Sequence, residues 1–170
     1  FQSLVESIIY QQLAGSAANI IYTRFIKHYN NVMPKPIQII STSDIELKSK
    51  IGLSSNKVHY LKDLSTKVEQ GKINLELLST MSDEEVIAEL TLVKGIGRWT
   101  SEMFLIFCLG RPDILPVTDL GIRKAVHKLY SLPELPKAAE LIAISQPWRP
   151  HRTVASWYLW KSLSKFDSIG

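Results

Sequence analysis

The sequence predicts an all-α fold, a helical bundle of 170 residues arranged as one domain or as two closely packed lobes. Apolar residues recur at helical spacing in one segment after another, and no segment shows the alternation that a strand requires. The chain contains no internal repeat and no low-complexity tract. Hydrophobic residues make up 45% of the chain, which is enough for a packed core. These observations exclude an intrinsically disordered protein and a repeat protein.

Boundary residues divide the amino-terminal part of the chain into helices. Apolar spacing predicts a first helix over residues 1–9, and Ser16 is predicted to cap a second helix from residue 17 to about residue 29. Pro34 and Pro36 predict a connector. The later signals are a Ser-x-x-Glu capping box at residues 43–46 with a short helix ending at Gly52, a helix from Ser54 or Ser55 to Gly71, and a second capping box at residues 82–85.

A glycine turn at residues 94–97, with the sequence Lys-Gly-Ile-Gly, joins two segments of helical periodicity. Gly95 and Gly97 permit positive backbone φ angles and let the chain approach a ligand closely. The helix that begins near Gly97 directs its first amide N–H groups and the positive end of its dipole toward the turn. Such an arrangement binds a phosphate oxygen, and Arg98 adds a positive charge beside it.

A carboxylate follows this turn at a fixed separation along the chain. The helix after the turn is predicted to run through Leu109 and to stop at Gly110, and a loop with two prolines comes next. Asp119 stands where the following helix, residues 120–130, begins. Aspartate commonly caps a helix at this position, and the positive end of the helix dipole favours its ionised form. A capping role and a chemical role are compatible, so the residues alone leave both open.

The carboxyl-terminal part ends in a predicted helix from residue 153 to about residue 163, with an unusual density of tryptophan. Core packing is predicted for Trp148 and Trp160. Arg149 and Arg152 lie at the start of this helix, where they are predicted to face solvent or a phosphate group.

Charge and cysteine content limit the classes of partner and site. The net charge is +4, and residues 1–110 contain 11 Lys/Arg and 11 Asp/Glu, whereas residues 111–170 contain 9 and 5. The excess of positive charge in residues 111–170 is consistent with a polyanionic partner, and it is equally consistent with an ordinary basic protein. The single cysteine, Cys108, excludes an intramolecular disulfide and a four-cysteine iron–sulfur cluster, and its apolar segment predicts core packing. We expect no membrane span or signal peptide, and the apolar start without a methionine suggests a trimmed amino terminus.

The glycine turn, the Gly/Pro-bearing loop and Asp119 together closely resemble the helix–hairpin–helix–Gly/Pro–Asp superfamily of DNA glycosylases. Trp99, two residues after Gly97 and twenty before Asp119, makes the chain similar to the 3-methyladenine (alkyladenine) branch. The resemblance covers nearly the whole chain. It implies one glycosylase domain over residues 1–170, built as two helical lobes around a helix–hairpin–helix motif, with a base pocket in the cleft between the lobes.

The resemblance implies an enzyme of base excision repair. Bifunctional members carry lysine where this chain has Trp99, so it implies a monofunctional glycosylase that hydrolyses the N-glycosidic bond of alkylated purines, such as 3-methyladenine and 7-methylguanine, and leaves an abasic site. Asp119 would stabilise the oxocarbenium-like transition state or orient the attacking water. Two alternatives stay open: a protein that binds damaged or structured DNA with weak or no excision, and a general hairpin-bearing DNA-binding domain.

The turn at residues 11–14 is similar to the family's minor-groove wedge. From the residues alone, Leu13 either enters the base stack while Gln11 and Gln12 bind base edges, or packs under the turn with the glutamines solvated. The resemblance favours the first alternative and implies a wedge of Gln12, Leu13 and Ala14. The small side chain of Ala14 is the reason to keep a weakly excising protein as an alternative.

The resemblance also implies the remaining site residues and partners. The base pocket would be formed by Trp99, Met103 and Trp157, whose indole rings attract a cationic alkylated base. No cofactor is required and no iron–sulfur cluster is expected. The partner would be double-stranded DNA with alkylated bases, bound by a monomer. A DNA partner predicts a location in the nucleus if the protein is eukaryotic, and otherwise in the cytoplasm. The phosphate-binding hairpin would comprise Lys94, Gly95, Ile96, Gly97, Arg98 and Thr100, with a structural Na⁺ or K⁺ held by the backbone carbonyls of Thr91, Val93 and Ile96.

Overall fold

The computed structural model describes residues 1–166, and the side chains of residues 1–163, as helices joined by turns and loops. No strand occurs in that part of the chain, so the predicted all-α class is confirmed. The chain divides into two compact units, Phe1–Ser101 and Glu102–Gly170, and the division falls inside one helix. None of the helices within residues 1–166 is long and apolar enough to cross a membrane.

The first unit is built around one long helix. Its elements are α1 (Gln2–Tyr10), α2 (Gly15–His28), α3 (Pro36–Ser41), α4 (Asp44–Glu46) with a π-helical turn (Leu47–Ile51), α5 (Ser55–Glu69), a 3₁₀ turn (Leu77–Thr80), α6 (Asp83–Thr91) and the beginning of α7 (Arg98–Phe107). Helix α5 packs against α1, α3 and the π-helical turn. It buries Val58, Leu61 and Leu64 there, and each such side chain stabilises the fold by about 1.5–3 kcal/mol.

Serine caps set the start of three helices in this unit, α4, α5 and α6. The Ser54 hydroxyl accepts the Lys57 amide and starts α5. The capping box at Ser82 and Glu85 is reciprocal, as predicted, and starts α6. At the start of α4 the Ser43 hydroxyl accepts the Glu46 amide, and the Glu46 side chain bonds to that hydroxyl instead of the backbone. These boundaries follow from residues within one turn of each other, which explains why they could be predicted.

Two predicted boundaries in this unit are wrong. Helix α2 begins at Gly15 with Ala14 as its N-cap, and no side chain caps it, so Ser16 lies inside the first turn. The proline segment is not only a connector, because Pro36 is the first residue of α3. Proline suits that position, where its missing N–H is not needed. The Gln38 side chain completes the start by accepting the Lys35 amide at 2.8 Å.

The second unit continues from α7. It contains α8 (Leu120–Leu129), α9 (Ala138–Ile144), a 3₁₀ turn (Gln146–Trp148) and α10 (Arg152–Phe166), and α8 packs against α10. Trp148 and Trp160 pack against its core, as predicted. The buried core residues are Leu115, Ile122, Ala125, Val126, Leu141 and Leu159.

Cys108 does not pack in the core, contrary to the prediction. Helix α7 ends at Phe107, not Leu109, so Cys108 lies in the turn beyond it and is exposed. The amides of Cys108 and Leu109 both bond to the Phe104 carbonyl, and Gly110 follows with φ 65°. The chain therefore leaves the helix before the apolar periodicity ends, which removes Cys108 from the buried face.

Candidate active site

The glycine hairpin occupies the link between α6 and α7. The Ile96 amide donates to the Val93 carbonyl at 3.1 Å, which closes the turn. The side chains of Val93 and Ile96 are buried, so they fix the backbone from below. Gly95 has φ 82°, a conformation that glycine adopts without strain. The predicted tight turn at residues 94–97 is therefore present.

Helix α5 holds this hairpin from the side. The Tyr60 ring lies against Gly95 so closely that a Cβ there would be 2.2 Å from Cδ2 of the ring. The Asp63 Oδ2 atom accepts the Lys94 amide at 2.8 Å and the Lys67 ammonium at 2.5 Å. Burial alone would raise the pKa of the Asp63 carboxyl, but hydrogen bonds from Lys67 and the Lys94 amide outweigh it and hold that pKa below its ordinary value.

Two hairpin residues have side-chain surroundings that the sequence did not predict. The Arg98 guanidinium binds both carboxylate oxygens of Glu84, at 3.0 and 2.5 Å, so its charge beside the turn is largely compensated. The hydrogen bond from Arg98 is also the main reason why the pKa of Glu84 lies below its ordinary value. Thr100 is buried, so its hydroxyl does not face solvent. The Lys94 side chain is exposed.

The turn at residues 11–14 presents its apolar side chain outward. Leu13 is 38% exposed, which does not match the alternative in which it packs under the turn. Gln12 has φ 56° and is exposed. The Gln11 side chain donates through Nε2 to the Gly95 carbonyl at 2.8 Å, so this glutamine links the turn to the hairpin.

A buried lysine supports the same turn from below. The Lys57 Nζ atom donates to the Ile9 carbonyl at 2.6 Å, at the carboxyl end of α1 and just before the turn. A cation at this end of a helix interacts favourably with the helix dipole. Burial lowers the pKa of Lys57 from its ordinary value. Helix α5 thus contacts both the carboxyl end of α1, just before the turn, and the hairpin, through residues on successive helical turns.

Asp119 is the N-cap of α8, as predicted, and it is buried, with 9% of its surface exposed. Its Oδ1 atom accepts the Ile122 amide at 2.8 Å. The same oxygen accepts the indole Nε1–H of Trp160 at 3.0 Å. From the sequence, Trp160 was predicted only to pack in the core, and no local pattern connects it with Asp119 because 41 residues separate them.

The aromatic residues of the predicted base pocket have accessible rings. Trp99 and Trp157 are each 45% exposed, and Met103 is partly buried. The Lys161 ammonium lies 4.2 Å from the centre of the Trp157 ring. The Lys161 ammonium therefore covers one face of the Trp157 ring, and a cationic base that stacks on this face would have to displace it.

The loop before Asp119 is fastened to the start of α10. Arg152 donates to Asp113 Oδ1 at 2.6 Å and Arg149 to Oδ2 at 3.1 Å, so neither arginine faces only solvent. The Thr153 hydroxyl donates to the Arg111 carbonyl at 2.6 Å and accepts the Ile114 amide at 3.0 Å. The Arg152 hydrogen bond, more than any other interaction, holds the pKa of the Asp113 carboxyl below its ordinary value.

Metal-binding side chains do not cluster anywhere in residues 1–163, where side chains are described. The cation ligands predicted from the sequence are all backbone carbonyl groups. Carbonyl oxygens suit a hard cation. The Val93 carbonyl accepts the Ile96 amide, but a carbonyl oxygen has two lone pairs, so this bond does not prevent coordination.

Comparisons with known proteins identify a family for this chain. Residues 5–150 match the model of the HhH-GPD superfamily base excision DNA repair proteins. The chain is 39% identical over 168 residues to DNA-3-methyladenine glycosylase 1 of Schizosaccharomyces pombe, covering 98% of this chain and 74% of that protein.

Two solved structures are also similar. One is the S. pombe 3-methyladenine DNA glycosylase in complex with abasic DNA, with a TM-score of 0.82, 39% identity, and coverage of 94% of this chain and 78% of that chain. The other is a DNA-3-methyladenine glycosidase from Bacillus halodurans, with a TM-score of 0.88, 39% identity, and coverage of 98% and 76%. With its hairpin, its loop and its capping aspartate, the chain belongs to the HhH-GPD superfamily of base excision DNA repair proteins.

Proposed function

We propose that this protein is a monofunctional DNA glycosylase that removes alkylated purines, such as 3-methyladenine and 7-methylguanine, from double-stranded DNA. The buried carboxylate of Asp119 is the observation that carries the proposal. It lies at a helix N-terminus, and two donors fix one of its oxygens. Membership of the base excision repair superfamily and similarity to 3-methyladenine glycosylases support the same activity.

The chemical role of Asp119 follows from the charge that develops in the reaction. Breaking the N-glycosidic bond builds positive charge on the sugar, and a fixed carboxylate stabilises such an oxocarbenium-like state. Because Asp119 is held in place before substrate arrives, little reorganisation is needed in the transition state. Tryptophan at position 99 cannot form a Schiff base with the sugar, so the product is an abasic site and the strand is left uncut.

Trp99 and Trp157 are the residues to which we assign stacking with the extruded base. Extruding a nucleotide costs a few kcal/mol, and stacking on an aromatic ring recovers about 1–3 kcal/mol per base. An alkylated purine is cationic, so an indole face attracts it more strongly than it attracts a normal purine. The exposed Leu13 is suited to fill the space that the base leaves in the duplex.

We assign binding of a DNA phosphate to the hairpin between α6 and α7. Its backbone amides and the start of α7 suit a phosphate oxygen. The carbonyls of Thr91, Val93 and Ile96 would hold a monovalent cation, which supplies positive charge for a DNA phosphate. The hydrogen bonds of Gln11 and Asp63 to the hairpin backbone keep its shape constant for this purpose.

Release of free base from methylated duplex DNA tests the proposal. Wild-type protein is expected to release alkylated purine, and Asp119→Asn to lower the single-turnover rate by about 10²–10³-fold, the loss seen when one charge-stabilising group is removed. Asparagine is as good an N-cap as aspartate, so the melting temperature should change little.

Other outcomes identify the alternatives. Tight binding to methylated DNA with no release of base would show a damage-binding protein without excision, and the proposal would be wrong. If Trp99→Ala and Trp157→Ala left every DNA-dependent property unchanged, the chain would be a general hairpin-bearing DNA-binding domain.

A further inference from the structure

A tryptophan from the last helix holds the carboxylate at the start of α8. The Trp160 indole donates to Asp119 Oδ1 at 3.0 Å, and the Ile122 amide donates to the same atom at 2.8 Å. The two donors come from different helices. Because Oδ1 accepts hydrogen bonds from two directions, the carboxylate group cannot rotate freely. The direction of Oδ2 is therefore fixed as well.

The indole itself is held in one orientation. The Phe107 ring stacks on Trp160 with 6.1 Å between ring centres and 26° between planes. Trp160 also packs against the core of the second unit. The hydrogen bond to Asp119 is therefore made by a side chain with little freedom to move, and preorganisation of this kind lowers the barrier of a charge-forming step.

Gly121 provides the space for this contact. A Cβ at residue 121 would lie 3.1 Å from Asp119 Oδ1 and 3.2 Å from Trp160 Cδ1. Its φ is not in the left-handed region, and it lies inside α8, where alanine has the better helix propensity. Backbone conformation therefore does not require glycine here, whereas a methyl group at this position would press on both Asp119 and Trp160.

We infer that Trp160 is a positioning residue for Asp119 and that Gly121 is its steric partner. The inference rests on the proposed function, in which Asp119 stabilises the sugar cation. Trp160 touches neither sugar nor base in this scheme, and its effect passes through the orientation of the carboxylate. Its removal should lower the rate of bond cleavage and leave DNA affinity unchanged.

Trp160→Phe is the main test, with Trp148→Phe as the matched control. Both change tryptophan to phenylalanine in the same core, but only Trp160 bonds to Asp119. We expect Trp160→Phe to lower the single-turnover excision rate by about 10- to 100-fold, the range for losing a hydrogen bond to a charged group. Trp148→Phe should excise at the wild-type rate. The dissociation constant for methylated duplex should be equal in all three proteins.

The split between the cleavage rate and DNA affinity separates positioning from general destabilisation. A general loss of structure would weaken DNA binding as well as cleavage, whereas a misoriented carboxylate should slow cleavage alone. If Trp160→Phe kept the wild-type excision rate, the inference would be wrong.

Gly121→Ala gives a second test of the contact between Asp119 and Trp160. The added methyl group should displace Asp119 or Trp160 by a few tenths of an ångström and lower the excision rate, while the gain in helix propensity keeps the protein folded. A Gly121→Ala protein with unchanged rate would contradict the steric part of the inference.

The contact between Trp160 and Asp119 can also be tested by a measurement that does not require enzymatic activity. This measurement applies even if Trp160→Phe does not fold or if the proposed function is wrong. In ¹⁵N-labelled protein, Asp119→Ala should shift the indole N–H resonance of Trp160 and leave that of Trp148 in place. An unmoved Trp160 resonance overturns the inference. Wild-type protein that releases no base, with a shifted Trp160 resonance, overturns the proposed function and leaves the contact established.

Discussion

Gly95 and Gly97 lie two residues apart in the hairpin, yet the protein structure itself requires glycine only at Gly95. Gly95 has a left-handed backbone, and the Tyr60 ring occupies the place of a side chain. At Gly97 a Cβ would meet nothing within 4 Å, and the backbone needs no special conformation. The protein itself therefore tolerates a side chain at Gly97, and close approach of a phosphate is the use we assign to this glycine.

Alanine substitutions should separate these two roles. Gly95→Ala should lower the free energy of unfolding by about 1–3 kcal/mol, because it introduces backbone strain and a clash with Tyr60. Gly97→Ala should leave that free energy nearly unchanged and weaken binding to duplex DNA. Urea denaturation and a fluorescence binding titration on both variants measure the two effects. Equal losses of stability in both variants would contradict this assignment.

At the scale of elements, the loop between α7 and α8 depends on α10 for its position. Asp113 in the loop binds Arg152 and Arg149, and Thr153 bonds to the loop backbone on either side of it. The Asp113 side chain is 22% exposed, so these bonds are only partly screened by solvent. The loop that leads to Asp119 is therefore held by side chains from a helix about forty residues later in the sequence.

Acid titration should reveal this attachment. The folded pKa of Asp113 is lowered from 3.8, so the contribution of Asp113 to stability is present above about that pH and is lost as the pH falls through the lowered value. Asp113→Asn should therefore destabilise the protein at neutral pH, by about 1 kcal/mol after allowance for solvent screening. The difference from wild type should shrink as the pH falls below 3.8.

Urea unfolding of the wild type and of Asp113→Asn at a series of pH values measures that difference. Glu140→Gln, which removes an exposed carboxylate on α9, is the control for the change in net charge. A difference between wild type and Asp113→Asn that stays constant down to acid pH would rule out the ion pair as its cause.

For the whole molecule, the distribution of charge bears on the proposed DNA partner. Residues 1–110 have 11 basic and 11 acidic residues, and residues 111–170 have 9 and 5, so the excess of +4 arises entirely from the second group. Near the hairpin, Arg98 is compensated by Glu84, which leaves the exposed Lys94 as the hairpin cation best placed to attract phosphate. DNA affinity should fall with salt because phosphate contacts release counterions.

Lys94→Gln should reduce this salt dependence. Loss of one phosphate contact lowers the slope of log K against log salt concentration by about 1 and weakens binding for all sequences alike. The Lys94 amide bond to Asp63 involves the backbone, so the hairpin should keep its shape. Lys50→Gln removes a cation that already pairs with Glu46 and should leave the slope unchanged. Identical slopes for wild type and Lys94→Gln would exclude Lys94 from the interface.

Sequence alone determined the features that depend on residues close together in the chain. The capping box at Ser82 and Glu85, the glycine turn and the N-cap role of Asp119 were all predicted and are present. Each needs only a few neighbouring residues to satisfy backbone groups at a helix end or to permit a turn. The family was also predicted from such local motifs, because their order along the chain is itself a pattern.

Tertiary structure decided which side chains meet. The bond between Trp160 and Asp119, the contact of Tyr60 with Gly95 and the exposure of Cys108 were not predicted. Such contacts depend on how helices pack, and a side chain on one helix face can meet residues from any distant part of the chain. The orientation of the proposed catalytic carboxylate, Asp119, depends on such a contact. One of its two hydrogen-bond donors, Trp160, lies on a helix that no local sequence pattern connects with Asp119.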